Sequence, residues 1–152
     1  MSEKPFGYAL ICDDIRNEVG GKVSLMGIYG THLVVEERFP VRLPKLGFFI
    51  VMILPRALDI KTLSIRIYTP GNDDDDAPDI EGEVAIRPPT QEAKAPYLRF
   101  TQSLLFSEVV LDRPGKIRVR ALCDGELIKL GVLFVQGSGA KEEASVSTDD
   151  GT

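Results

Sequence analysis

Histidine and cysteine are scarce in this chain: one histidine, His32, and two cysteines, Cys12 and Cys123, in 152 residues. A single imidazole excludes a His-based metal cluster and any pair of catalytic imidazoles. The two cysteines are far apart and lie in separate apolar alternating runs, so no CxxC motif exists. They read as reduced, buried small hydrophobes of a reducing compartment. No GxSxG elbow, HExxH helix or Walker loop accompanies His32. A lone histidine at a strand start is expected at the surface or hydrogen-bonded, and no enzyme and no cofactor are expected.

Long apolar runs are also missing. The longest, Leu46 to Leu54, is too short for a membrane helix. The opening MSEKPFGYALICDD has no long apolar region followed by a small-residue cleavage site, so no secretory signal is expected, and the simplest address is the cytoplasm. Convincing helical periodicity longer than two turns is absent, as is any fixed repeat. Excess charge is missing from most of the chain: the formal charge is -5, of which the last sixteen residues carry -3. A near-neutral body gives no overall footprint for nucleic acid.

What is present is alternation. Tyr8, Leu10 and Cys12 share one side of an extended segment, and Val23, Leu25 and Tyr29 share one side of the next, with Gly20-Gly21 at the turn. The first strand is expected over Gly7 to Cys12 and the second over Lys22 to Tyr29, with a bulge at Gly27. Thr31 to Glu36 reads as a short third strand, after which the prolines of FPVRLP forbid regular structure. Leu63, Ile65 and Ile67 alternate with Ser64, Arg66 and Tyr68. PGNDDDDAPD, residues 70 to 79, is a loop; Val84 and Ile86 belong to a following strand that Pro88-Pro89 stop, and 90 to 96 form another loop. In Tyr97 to Leu111 the inward side includes Gln102, whose burial cost predicts a bulge there. Lys116 to Cys123 and Leu127 to Val135 flank Asp124-Gly125, a pair suited to a two-residue hairpin turn. Short strands at roughly ten-residue spacing predict an all-β fold, an antiparallel β-sandwich of about seven to nine strands, with a closed barrel as the alternative. One domain over residues 1–136 and a disordered acidic tail over 137–152 follow from the change of composition after Gln136.

Three polar constellations bear on chemistry. Asp13, Asp14, Asp73, Asp75 and Asp79, with Asp76 and Glu81 nearby, supply the oxygen ligands a calcium site at one end of a sandwich needs. The competing expectation is a solvated loop at 73–76, with Asp14 capping a turn over Ile15 to Glu18 and the other acid pairing with Arg16. The stripe of Lys116, Arg118 and Arg120, extended by Arg113 and Lys129, has the spacing to track phosphates. No aromatics interleave with it, so a solubilising outer face is expected.

The strongest signal is surplus apolar surface. A sandwich strand needs one buried side, yet Leu46 to Leu54 is apolar on both, and Leu127, Leu133 and Val135 stand opposite Ile128, Leu130, Val132 and Phe134. The cover is the chain's own 31–44 segment, a second copy or another protein. The expected function is a non-enzymatic module that binds a protein or itself, the alternative a calcium or small-ligand site; neither nucleic acid nor membrane is expected as a partner.

CDDIRNEVGGKVSLMGIYG, residues 12 to 30, resembles the opening of a group of small bacterial proteins classed as a domain of unknown function. This resemblance implies a bacterial cytoplasmic protein and no known chemistry. PGKIRVRALCDGELIKLGVLFV is similar to the closing hairpin of immunoglobulin-like or C2-like sandwiches, which share a fold and no single activity.

Overall fold

The computed structural model describes residues 3–74, 76–86 and 95–138. Among them are nine strands: β1 Phe6–Asn17, β2 Val23–Ile28, β3 His32–Val35, β4 Val41–Pro55, β5 Leu63–Tyr68, β6 Ile80–Glu83, β7 Tyr97–Leu111, β8 Gly115–Cys123 and β9 Glu126–Gly137. A 3-10 turn at Arg56–Leu58 follows β4. The strands form a four-stranded sheet, β2-β1-β4-β7, and a five-stranded sheet, β3-β9-β8-β5-β6. The expected all-β sandwich is therefore what the chain forms. Every pairing is antiparallel except that of β3 with β9, which is parallel.

The core lies between the sheets. Phe48, Ile50, Met52 and Leu54 of β4 meet Leu63, Ile65 and Ile67 of β5, Ile117 and Val119 of β8, and Leu133 and Val135 of β9 in one buried cluster. Alternation on β5 and β8 places these side chains, since a pleated strand sends every second residue to one face. Asp124 and Gly125 both have positive φ, 46° and 88°, as a two-residue hairpin between right-twisted strands requires.

Several local expectations need correction. β1 runs through Asp13 and Asp14 to Asn17, pairing with β2 as far as Val23, so the acids lie inside a strand and not on a turn. β4 starts at Val41 and passes through Pro44. The proline costs no ladder bond to β1, whose pairing with β4 covers only Phe6 to Cys12 against Gly47 to Ile53. β6 is Ile80–Glu83, ahead of the expected Val84 and Ile86, while residues 87–94, including Pro88-Pro89 and most of the expected loop, lie outside the described residues. β9 extends to Gly137; of the expected tail, residues 139–152 lie outside the described residues.

No register shift occurs at Gln102, which pairs with Ile50. The irregularity falls at Glu108, whose φ is 53°. Beyond it, and beyond Pro44 on β4, the core-facing set changes parity, from Phe106 to Val109 and Leu111 and from Leu46 to Leu43 and Val41. Gln102 needs no buried partner because the second sheet stops short of β7. There the sandwich opens into a groove of about 260 Å³ lined by Ile65, Ile80, Val84, Gln102, Leu104 and Phe106.

The double apolar character of β9 has a simpler origin than two covered faces. Val119 pairs with Gly131 and Arg120 with Lys129, so Leu130 is an extra residue. A bulge reverses the alternation. Ile128, Leu130, Leu133 and Val135 therefore all pack on the core, leaving Leu127, Val132 and Phe134 about 40% exposed.

Candidate functional site

β4 does carry two apolar faces. Its outward residues Phe49, Val51 and Ile53 are level with Leu10, Tyr8 and Phe6 of β1, and on the far side with Ser103, Thr101 and Arg99 of β7. Paired residues on neighbouring strands point to the same face. The outer surface of the four-stranded sheet therefore holds three apolar rows, Phe6–Ile53, Tyr8–Val51 and Leu10–Phe49, bordered by a polar column. Val51 is only 1% exposed between these larger side chains, whereas Phe6 and Tyr8 are 55% and 45% exposed. The surface continues past Cys12 to Ile28 on β2, 52% exposed, and across Gly47 to Leu105 on β7, 41% exposed. The 31–44 segment does not cover it, because β3 joins the other sheet. Of three residues from the doubly apolar strands, Phe48 and Leu133 lie in the core and Val51 lies beneath this outer surface.

The opposite face of the molecule, outside the five-stranded sheet, is closed by charge. Arg118 and Arg120 point outward from β8, but Arg120 is only 3% exposed. The acidic loop after β5 folds over them. Asp74 Oδ1 accepts from Arg120 Nε at 3.2 Å and lies 3.4 Å from Arg118 Nη1, while Asp73 is 3.9 Å from Arg118. The Arg118 guanidinium stacks 5.3 Å from the Tyr68 ring centre, and the Tyr68 hydroxyl donates to the Asp74 carbonyl oxygen. The stripe is thus no solubilising face at Arg118 and Arg120, and the loop is not merely solvated.

The remaining acids are similarly engaged. Asp79 Oδ2 accepts from the Thr69 amide at 2.7 Å, the Thr69 hydroxyl and Asn72 Nδ2. Burial alone would raise the Asp79 carboxyl, but these bonds hold it below the ordinary carboxylate value. Asp76 accepts from the Asp73 amide, and Glu81 pairs with Arg66 at 3.2 Å. Asp14 Oδ1 accepts from the Ile15 amide at 2.8 Å, but within a strand and not on a turn, and its Oδ2 pairs with Lys45 at 3.3 Å; Asp13 accepts from the Tyr29 hydroxyl, and Arg16 pairs with Glu18. Among the described residues, no three His, Cys, Asp or Glu side chains are grouped to hold a metal ion; Asp75 lies outside those residues. Asp13 and Asp14 are thus not gathered with Asp73 and Asp79 into one ligand set.

Gly27, with φ 66°, leaves the space into which the Asp13 carboxylate projects, and no register shift accompanies it. Burial, followed by the bond to Asp13, pushes the Tyr29 hydroxyl far above its ordinary value. His32 is exposed and stacks on Phe134 with ring centres 5.4 Å apart, its Nδ1 2.7 Å from the Thr31 hydroxyl. Both thiols are buried and free.

Sequence reasoning left out two participants. Phe6 falls just ahead of the first expected strand, Gly7 to Cys12, although it matches the period of Tyr8 and Leu10. Asp74 is hidden in a run of like residues; the available signal was Tyr68, an aromatic on an otherwise polar strand face that demanded cover.

No helix among the described residues is long and apolar enough to cross a membrane. Residues 7–136 match a family model described as a family of unknown function, DUF6941. Neither a curated protein nor a solved structure matches the chain.

Proposed function

This chain belongs to DUF6941, a family of unknown function, and we propose that it is a non-enzymatic protein-binding module whose contact surface is the outer face of the four-stranded sheet. The observation that carries this reading is the row structure of that face: Phe6, Tyr8, Leu10, Phe49 and Ile53 share one side, with Phe6 and Tyr8 about half exposed. A contiguous apolar patch rimmed by polar residues such as Arg99, Thr101 and Ser103 is the usual composition of a protein contact. The charge pairing on the opposite face supports a partner other than nucleic acid, since Asp74, with Asp73 beside it, occupies the arginines that phosphates would need. Free, buried thiols favour a reducing, cytoplasmic address.

A photo-crosslinking residue placed at Tyr8 tests this in the producing cell, with the same residue at Lys129 as control. The expected result is a discrete protein adduct from position 8, absent from position 129 and lost when Ile53→Lys is added. Equal, diffuse labelling from both positions would overturn the reading.

A further inference from the structure

Gly82 lies within β6, opposite Ile65 of β5 and flanked at alternate positions by Ile80 and Val84. Ile65 is a core residue and the other two pack against the core, so a side chain at 82 would face inward. A glycine inside a strand weakens it, and marks a bulge, a close approach of another backbone or a place where a ligand comes near. A bulge is absent, because β5 and β6 pair in continuous register from Ser64 and Glu83 to Ile67 and Ile80. Close approach is absent too: no described atom lies within 4 Å of the position a Cβ would take. Nor does Gly82 have the positive φ that would demand glycine. What the missing side chain leaves open is the groove of about 260 Å³ between β6 and β7.

The opposite wall is β7, which contributes Leu104, Phe106 and Gln102. Gln102 is level with the core residue Ile50, so its carboxamide is on the groove side of the strand. Among the described residues that carboxamide makes one contact, from Nε2 to the Ser103 carbonyl oxygen at 3.5 Å, too long to satisfy it, and its Oε1 is free to accept. Charge decides the class of ligand. Glu81 and Glu83 line the rim, and no Lys, Arg or His lines the groove among the described residues. Glu81 is paired with Arg66, whereas Glu83 has no ion pair among those residues. Such a rim repels an anion and attracts a cation. We infer that this groove binds a small apolar molecule carrying a protonated amine. Its apolar body fills the space that Gly82 leaves between Val84 and Phe106, and its ammonium group is held at the rim by Glu83 and Gln102 Oε1. The groove shares no residue with the outer face of the four-stranded sheet, so the two readings stand or fall separately.

The test follows backbone amide resonances of the full chain by NMR during titration with phenethylamine and, separately, with phenylacetate, a probe of similar size and opposite charge. The amine shifts the Gly82, Gln102 and Leu104 amides saturably, and phenylacetate binds roughly tenfold or more weakly. Gly82→Leu fills the open space, so the melting temperature holds or rises while amine binding weakens roughly tenfold or more. Glu83→Gln alters only an exposed side chain, leaves the fold intact, and brings the two probes to within roughly threefold of each other. No saturable shift with millimolar amine, phenylacetate binding as tightly as the amine, or either variant behaving as the wild type would each overturn the proposal. A Gly82→Leu chain that does not fold would overturn it as well, because the space would then not be open. Loss of the Tyr8 adduct with amine binding intact would instead strike only the outer-face reading.

Discussion

Arg120 and Asp74 lie 3.2 Å apart across the outer surface of the five-stranded sheet, the arginine side chain 4% and the aspartate side chain 27% exposed. Their separation of 46 residues in sequence makes the pair a tether that holds the loop after β5 against β8. Remaining Arg120 donors reach the carbonyl oxygens of Val119 and Gly131, so the guanidinium is held on several sides.

Removing the carboxylate charge leaves two arginines, Arg118 and Arg120, close together without their shared counterion. Breaking a buried pair costs about 3–5 kcal/mol; partial exposure of Asp74 reduces this to about 1–3 kcal/mol. Asp74→Asn is therefore expected to lower the melting temperature by several degrees. Asp73→Asn is the comparison, because Asp73 is 90% exposed and 3.9 Å from Arg118, and is expected to change stability by under about 0.5 kcal/mol. Thermal unfolding of both variants decides the matter: equal effects would show that Asp74 has no special place.

That tether marks the boundary of what the chain order reveals. The strand faces of β5 and β8 are legible because alternation is local, and Asp124-Gly125 is legible because its turn geometry restricts composition. Asp13-Asp14 misleads for the same reason: two acids favour a turn locally, but pairing of Asp14 with Met26 and Ile15 with Leu25 keeps the strand extended. The apolar surplus in β4 points correctly to a second face. The surplus in β9 does not, because one inserted residue, Leu130, moves the alternation to the other parity and no residue type announces a bulge. Pairing between a basic stripe and an acidic run is a question of which loop lands on which strand, and strand order is not written in periodicity.

The thiols offer a pH test. Burial, reinforced by the charges of Asp124 and Glu126, pushes Cys123 from an ordinary 9.0 up to about 11, and burial likewise raises Cys12. Since the thiolate is the nucleophile, neither cysteine should react measurably with iodoacetamide in the folded protein at pH 8, while both should react in denaturant. A raised thiol value in the folded state means that the stability contributed by Cys123 is complete below about pH 9 and is lost as pH rises towards 11, and that of Cys12 is lost in the same alkaline direction. Mass spectrometry of the alkylated protein reads the first effect and alkaline denaturation the second. Rapid labelling of Cys123 in the native state would contradict its burial.

Gly7 lies where β1 is squeezed between its own sheet and β9. A Cβ there would overlap the Val51 carbonyl oxygen and come within 2.7 Å of Met52 Sδ and 3.2 Å of Leu130 Cδ2. The first of these neighbours is backbone of the central strand β4 and has little freedom to withdraw, so even one methyl group must displace β1 or the bulged residue of β9. Overpacking of this kind costs about 1–3 kcal/mol, and Gly7→Ala is expected to lower the melting temperature accordingly, at roughly 4 °C per kcal/mol for a domain of this size. Gly30 has no atom within 4 Å of the same position, so Gly30→Ala should be near neutral. Both substitutions remove the same chain flexibility from the unfolded state, and only the first meets a wall; a Gly7→Ala protein as stable as Gly30→Ala would mean that β1 does not sit against β4 and β9 in this register.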